Sequence, residues 1–211
     1  MNKICVTILF GDYDNLKEPT VITKGWEYIV ISDREHKSDV WKTKLLKDLN
    51  LTNKRKTGYV ITQVHKLLDY DVCLMVGAQI QINTDLDKYI YDDNFVALDH
   101  PSRDCIYTEA MACIMLNKDN PKLIASAIYG YLDAGLPPKS GMIQTGVTIR
   151  KNNTLINNFC DYWWLQICKG SHRDQLSFNY ANWVYPIDYK VISSNLLNKE
   201  FKLFAHSSKN V

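Results

Sequence analysis

The sequence predicts an α/β fold, a mixed and mostly parallel sheet flanked by helices. Three observations predict it. Continuous apolar runs rich in β-branched residues recur along the chain. Helix-length segments separate them. Three of the four runs end in Asp beside Gly, Ser or His. A strand covered by helices on both faces reads as an unbroken apolar run. In such sheets ligands bind beyond the carboxyl ends of the strands, so the polar run ends mark where to look.

The first run covers residues 4–10 and stops at Gly11, Asp12, Tyr13 and Asp14. The second, 26–31, stops at Ser32 and Asp33. A helix is expected over about 57–68. The third run, 72–76, ends at Gly77 and Ala78, and the fourth, 95–98, at Asp99, His100 and Pro101. Helices follow at about 106–116 and 121–134, the latter with Pro121 in its first turn, where a missing N–H costs nothing. Residues 137–141 read as a loop. Leu155, Ile156, Phe159, Tyr162, Trp163 and Ile167 recur near a 3.6-residue period, with Gly170 as a stop signal. A last apolar helix starts at Asp174 and Gln175.

Hydrophobic residues make up 46% of the 211 and charged residues 23%, which suits one globular domain over 1–211. The formal charge of +2, from 25 basic and 23 acidic residues, does not by itself imply a nucleic acid or membrane partner. Its distribution is less even. Lys42, Lys44, Lys47, Lys54, Arg55 and Lys56 are opposed only by Asp48. They read as a solvated helix face and loop, or as an electropositive rim for a diphosphate. The six cysteines lack C-x-x-C spacing and read as reduced thiols of a cytoplasmic protein. The opening apolar stretch is too short for a secretory signal, and no run reaches the ~20 residues of a membrane span.

Three clusters carry candidate chemistry. Phe10, Gly11, Asp12, Tyr13 and Asp14 offer close backbone approach, a stacking ring and carboxylates, or simply a polar turn. Asp99, His100, Ser102, Arg103, Asp104, Tyr107 and Glu109 place an imidazole, a guanidinium and carboxylates at a strand mouth. The plain alternative is a capped helix start with Ser102 or Asp104 as cap, but Arg, His and Glu add nothing to a cap, which favours a functional reading. His172, Arg173, Asp174 and Gln175 open the last helix. There Asp174 either caps or orients and deprotonates a hydroxyl. Trp163 reads as core, and Trp164 as core or a stacking platform. No P-loop, G-x-G-x-x-G, G-x-S-x-G or H-E-x-x-H motif competes.

In order, residues 6–19, 31–33 with Trp41, 100–110, 146–150 and 173–178 form blocks along nearly the whole chain. On them the sequence resembles the glycosyltransferase-like family that includes the plant mucilage-related proteins and has bacterial and phage relatives. The resemblance implies a GT-A-like, Rossmann-like fold and sugar transfer from a nucleotide-sugar donor. It implies donor binding by Phe10, Gly11, Asp12, Tyr13, Asp33, Gly77 and Gln79. It places Asp174, Arg103 and Glu109 in catalysis and His100, Arg173, Gln175 and Trp164 at the acceptor. The acceptor is a cell-surface glycan or a hydroxymethylated base in phage DNA, which would make this a DNA-modification enzyme.

One departure matters. Where the family carries an Asp motif for a divalent metal, this chain has Gly77, Ala78 and Gln79. Mn²⁺ and Mg²⁺ want oxygen ligands, preferably anionic, so no metal set is assigned, with Asp99 and His206 as candidates. A catalytically degenerate sugar- or nucleotide-binding module is the alternative. Oligomeric state is not readable.

Overall fold

The computed structural model describes residues 1–47 and 49–207. Asp48, the acidic residue inside the basic cluster, lies outside them, as do 208–211. Among the described residues a seven-stranded sheet runs in the order β3, β2, β1, β4, β7, β6, β8. These are Lys42–Leu45, Trp26–Ser32, Lys3–Leu9, Val72–Gly77, Ile143–Lys151, Phe95–Asp99 and Tyr189–Ile192. Every pairing is parallel except those of β7, which runs antiparallel to both neighbours. A two-stranded ribbon pairs β5 (Ile80–Ile82) with β9 (Phe201–Leu203). Five helices flank the sheet: α1 (Asn53–Leu67), α2 (Ile106–Met115), α3 (Pro121–Asp133), α4 (Thr154–Lys169) and α5 (Gln175–Val184).

The expected α/β architecture is therefore present. Alternation along β1 explains how both sheet faces are filled. Ile4 and Val6 join Val60 and Val64 of α1 in one cluster, while Cys5 and Leu9 join Leu86 and Phe201 in another. Phe95 and Ala97 of β6 meet Phe159 and Trp163 of α4 and Phe178 of α5. The α2–α3 pair has its own small core around Ile106, Ile124, Tyr131 and Leu176. All six cysteines are free thiols, and Cys168 alone is exposed. Among the described residues no helix is long and apolar enough to cross a membrane.

Several local expectations change. Lys42 and Lys44 stand on the edge strand β3, not on a helix face. Charged side chains suit such an edge because they discourage further pairing. Lys54, Arg55 and Lys56 are in the first turn of α1, capped by Thr52. Helix α2 starts after Cys105 with no side-chain cap, so neither Ser102 nor Asp104 caps it. Asp174 precedes α5 already in helical conformation (φ −55°, ψ −42°) and makes no capping bond. A cap acceptor needs extended geometry to reach the N–H groups ahead of it, which this backbone denies.

Candidate active site

The carboxyl ends of β1 and β2 are tied together. Ser32 Oγ donates to the Leu9 carbonyl at 2.6 Å, and Gly11 N–H donates to the Asp33 carboxylate, 3.1 Å from Oδ2. Gly11 has φ +64°, a region that favours glycine. A Cβ there would lie 2.7 Å from Asn53 Nδ2 at the start of α1. Asp12 pairs with Arg34. Phe10 is buried in the β1–α1 core, with Lys56 Nζ 5.7 Å from its ring centre.

The end of the described chain returns to this point. After β9, Phe204 N–H donates to the Gln79 carbonyl at 2.9 Å. His206 Nδ1 lies 2.8 Å from Oδ2 of the buried Asp14, and Ser207 N–H donates to its Oδ1 at 3.1 Å. The His206 ring sits 4.6 Å from the Tyr13 ring, centre to centre.

A second group forms around Glu109, whose side chain is 4% exposed. His100 Nδ1 accepts from Arg103 N–H at 3.1 Å, so the ring's proton belongs on Nε2, which lies 3.5 Å from Glu109 Oε2. The Arg103 Nε–H donates to that same oxygen. On Oε1, Gln175 Nε2 donates and Cys113 Sγ lies at 3.4 Å. A buried carboxylate costs several kcal/mol unless it is fully partnered, and here both oxygens are. Burial lowers the His100 pKa, with Glu109 opposing it and Arg103 adding to it. Arg173 lies within electrostatic reach of Tyr13, His100 and Cys113. It thus links the strand-end loop to the Glu109 group.

At the start of α5 the Asp174 carbonyl accepts from Trp163 Nε1 at 3.0 Å, while its carboxylate Oδ2 is enclosed without a partner. Arg173 Nε, Asn179 Oδ1 and Ser140 Oγ are enclosed and unpartnered too, and Asn179 Nδ2 donates to the Ser140 carbonyl at 3.2 Å. Each such atom costs about 1–3 kcal/mol unless a polar partner reaches it. Asn179 and Ser140 were not candidates in the sequence. Asn179 carries a readable signal, standing one helical turn beyond Gln175 on the same face of α5.

Other candidates fall elsewhere. Trp164 packs edge-on against Tyr59 of α1, ring centres 5.3 Å apart, in the α1–α4 contact. Asp99 Oδ1 accepts from Ser194 N–H at 2.6 Å. A Cβ on Gly77 would lie 2.9 Å from Gln79 Oε1, so the Gln79 amide fills the space an acidic side chain would need. Among the described residues no three His, Cys, Asp or Glu side chains gather as a metal set. The neutral Gly77–Gln79 segment does not fit a hard divalent cation.

A largely parallel α/β sheet with polar groups past its strand ends is the architecture of an α/β domain that binds ligands at that edge. The family model of the TOD1/MUCI70, glycosyltransferase-like domain matches residues 1–209, and the chain belongs to that family. No curated protein matches the sequence.

Proposed function

We propose that the chain is a single-domain glycosyltransferase, residues 1–211, moving a sugar from a nucleotide-sugar donor to an acceptor hydroxyl. The observation that carries this reading is Asp174, a carboxylate at a helix start that caps nothing and keeps an enclosed oxygen unpartnered. Gly11, Asp12, Tyr13 and Asp33 take the base and ribose. Arg103, His100, Arg173 and Gln175 line the sugar and acceptor. The acceptor oxygen bonds to the anomeric carbon and its proton passes to Asp174. The bond from that carbon to the diphosphate breaks, its electron pair leaving on the diphosphate. Glu109 acts through Arg103 and Gln175, because both its oxygens are already engaged. The near-neutral charge favours a glycan acceptor over a hydroxymethylated DNA base.

The Gly77–Gln79 segment favours a second reading, a binding module without turnover. A panel of nucleotide sugars, followed by hydrolysis and thermal stabilisation with Mn²⁺ or with EDTA, separates the two. Turnover supports the transferase. Stabilisation without turnover supports the module. Neither effect with any donor overturns both.

A further inference from the structure

His172, just ahead of Arg173, is held by a residue far away in sequence. Asp119, in the turn between α2 and α3, takes three donors on one oxygen. They are the Ser171 hydroxyl at 2.7 Å, the His172 backbone N–H at 2.8 Å and His172 Nδ1 at 2.9 Å. Its other oxygen accepts from Asn120 N–H at 2.7 Å. The imidazole is 15% exposed and the carboxylate 10%. With the Nδ1 proton directed at Asp119, the tautomer is fixed and Nε2 keeps its lone pair.

The charged groups within reach of this ring are Asp119 on the α2–α3 turn, Lys54 and Arg55 in the first turn of α1, and Arg173 beside it. Arg55 is committed, since its guanidinium donates to the Ile167 and Gly170 carbonyls and closes the end of α4. Lys54 follows Asn53, whose amide stands against Gly11, and Arg173 lies within electrostatic range of Tyr13. Three cations therefore act on the ring, and the carboxylate that holds it, Asp119, is already saturated. Such a set of cations calls for an anion of more than one charge.

We propose that His172, with Arg173 and Lys54, holds the diphosphate of the donor, and that the imidazole takes up a proton at Nε2 as the diphosphate binds. This rests on the nucleotide-sugar reading above. Without an anion, burial lowers the ring's pKa, Asp119 opposes that, and the neighbouring cations reinforce it. An anion against Nε2 reverses the balance. As the sugar leaves, the charge developing on the diphosphate oxygen then meets an imidazolium already oriented by Asp119.

The test is a histidine side-chain NMR titration of the full chain between about pH 5.5 and 8.5. It is run alone, with inorganic pyrophosphate, and with uridine and guanosine diphosphates, beside affinities for His172→Gln and Asp119→Asn. Gln keeps a donor where Nε2–H would stand but cannot titrate. The expected result is a His172 titration at least one pH unit higher with ligand. Wild-type affinity then falls about tenfold per pH unit, relative to His172→Gln, between the free and bound values. Asp119→Asn shrinks the shift. If His172→Gln does not fold, the wild-type titration alone decides. An unmoved His172 titration with ligand bound overturns the proposal and leaves the transferase reading standing. A shift with pyrophosphate but no nucleotide binding supports the anion site and overturns the nucleotide reading. Absence of binding by every probe overturns both.

Discussion

Glu109→Gln tests whether the buried carboxylate organises the site. The change keeps the shape and removes the charge. An amide offers one oxygen and one NH₂ where the carboxylate offers two acceptors. If the oxygen faces Arg103 and His100, the NH₂ meets the Gln175 amide and the Cys113 thiol. If it is flipped, the NH₂ meets Arg103 and His100. With the Gln175 amide held as it stands, donors oppose donors on one side either way. Losing the charge-assisted bond costs about 1.5–3 kcal/mol, and an unsatisfied buried donor about 1–3 kcal/mol. Arg103 is 31% exposed and recovers some hydration, which lowers the total to about 3 kcal/mol. For a chain of this length each kcal/mol shifts Tm by about 2–4 °C, so a fall of roughly 6–12 °C is expected. Urea and thermal denaturation measure it. A loss under about 1 kcal/mol would refute the reasoning, because the four donors would then have other partners at little cost.

Asp174→Asn is expected to remove most transfer with Tm within a few degrees of wild type, since the carboxylate caps nothing; turnover equal to wild type would reduce Asp174 to a structural residue. Gly11→Ala is expected to cost about 1–2 kcal/mol from its positive φ. The clash with Asn53 adds little because a side-chain end can rotate away, and urea midpoints test the sum. His36, His65, His100 and His172 all have pKa values lowered first by burial. In that window the unfolded chain binds more protons than the folded one, so stability is full above about pH 6.5 and is lost as pH falls below it. Denaturant midpoints at about pH 7.5 and 5.5 should differ in that direction, and an equal or higher midpoint at the lower pH would contradict it.

Strands β1, β2, β4 and β6 were legible because strands covered on both faces need apolar side chains on both. β7 was not legible. Its Gln144, Thr145, Thr148 and Arg150 hide a strand whose Thr148 and Arg150 are buried. Arg150 reconciles burial with charge by donating to the Ile61 carbonyl at 2.6 Å and lying over the Phe95 ring at 5.1 Å, partners no local pattern announces. The site divides the same way. The blocks at 99–109 and 173–175 were visible because their residues are neighbours in sequence. The bonds joining Glu109 to Gln175, Asp119 to His172 and Asp14 to His206 arise only when the chain closes on itself. Helix capping, the plain alternative to a functional role at Ser102, Asp104 and Asp174, is absent at all three.

The return of residues 204–207 to Gln79 and Asp14 has a consequence for biosynthesis. A ribosome delivers Asp14 nearly two hundred residues before His206 and Ser207. For all that time the loop after β1 stays uncovered, and contacts between such distant parts of a chain form late and slowly. A nascent chain can therefore pair β1 with β2 and β4 while the loop after β1 stays open, and a chain cut just after β9 would keep its sheet and lose that closure. Protease protection of the 10–15 loop, followed as length is restored toward residue 207, would time the last step of assembly.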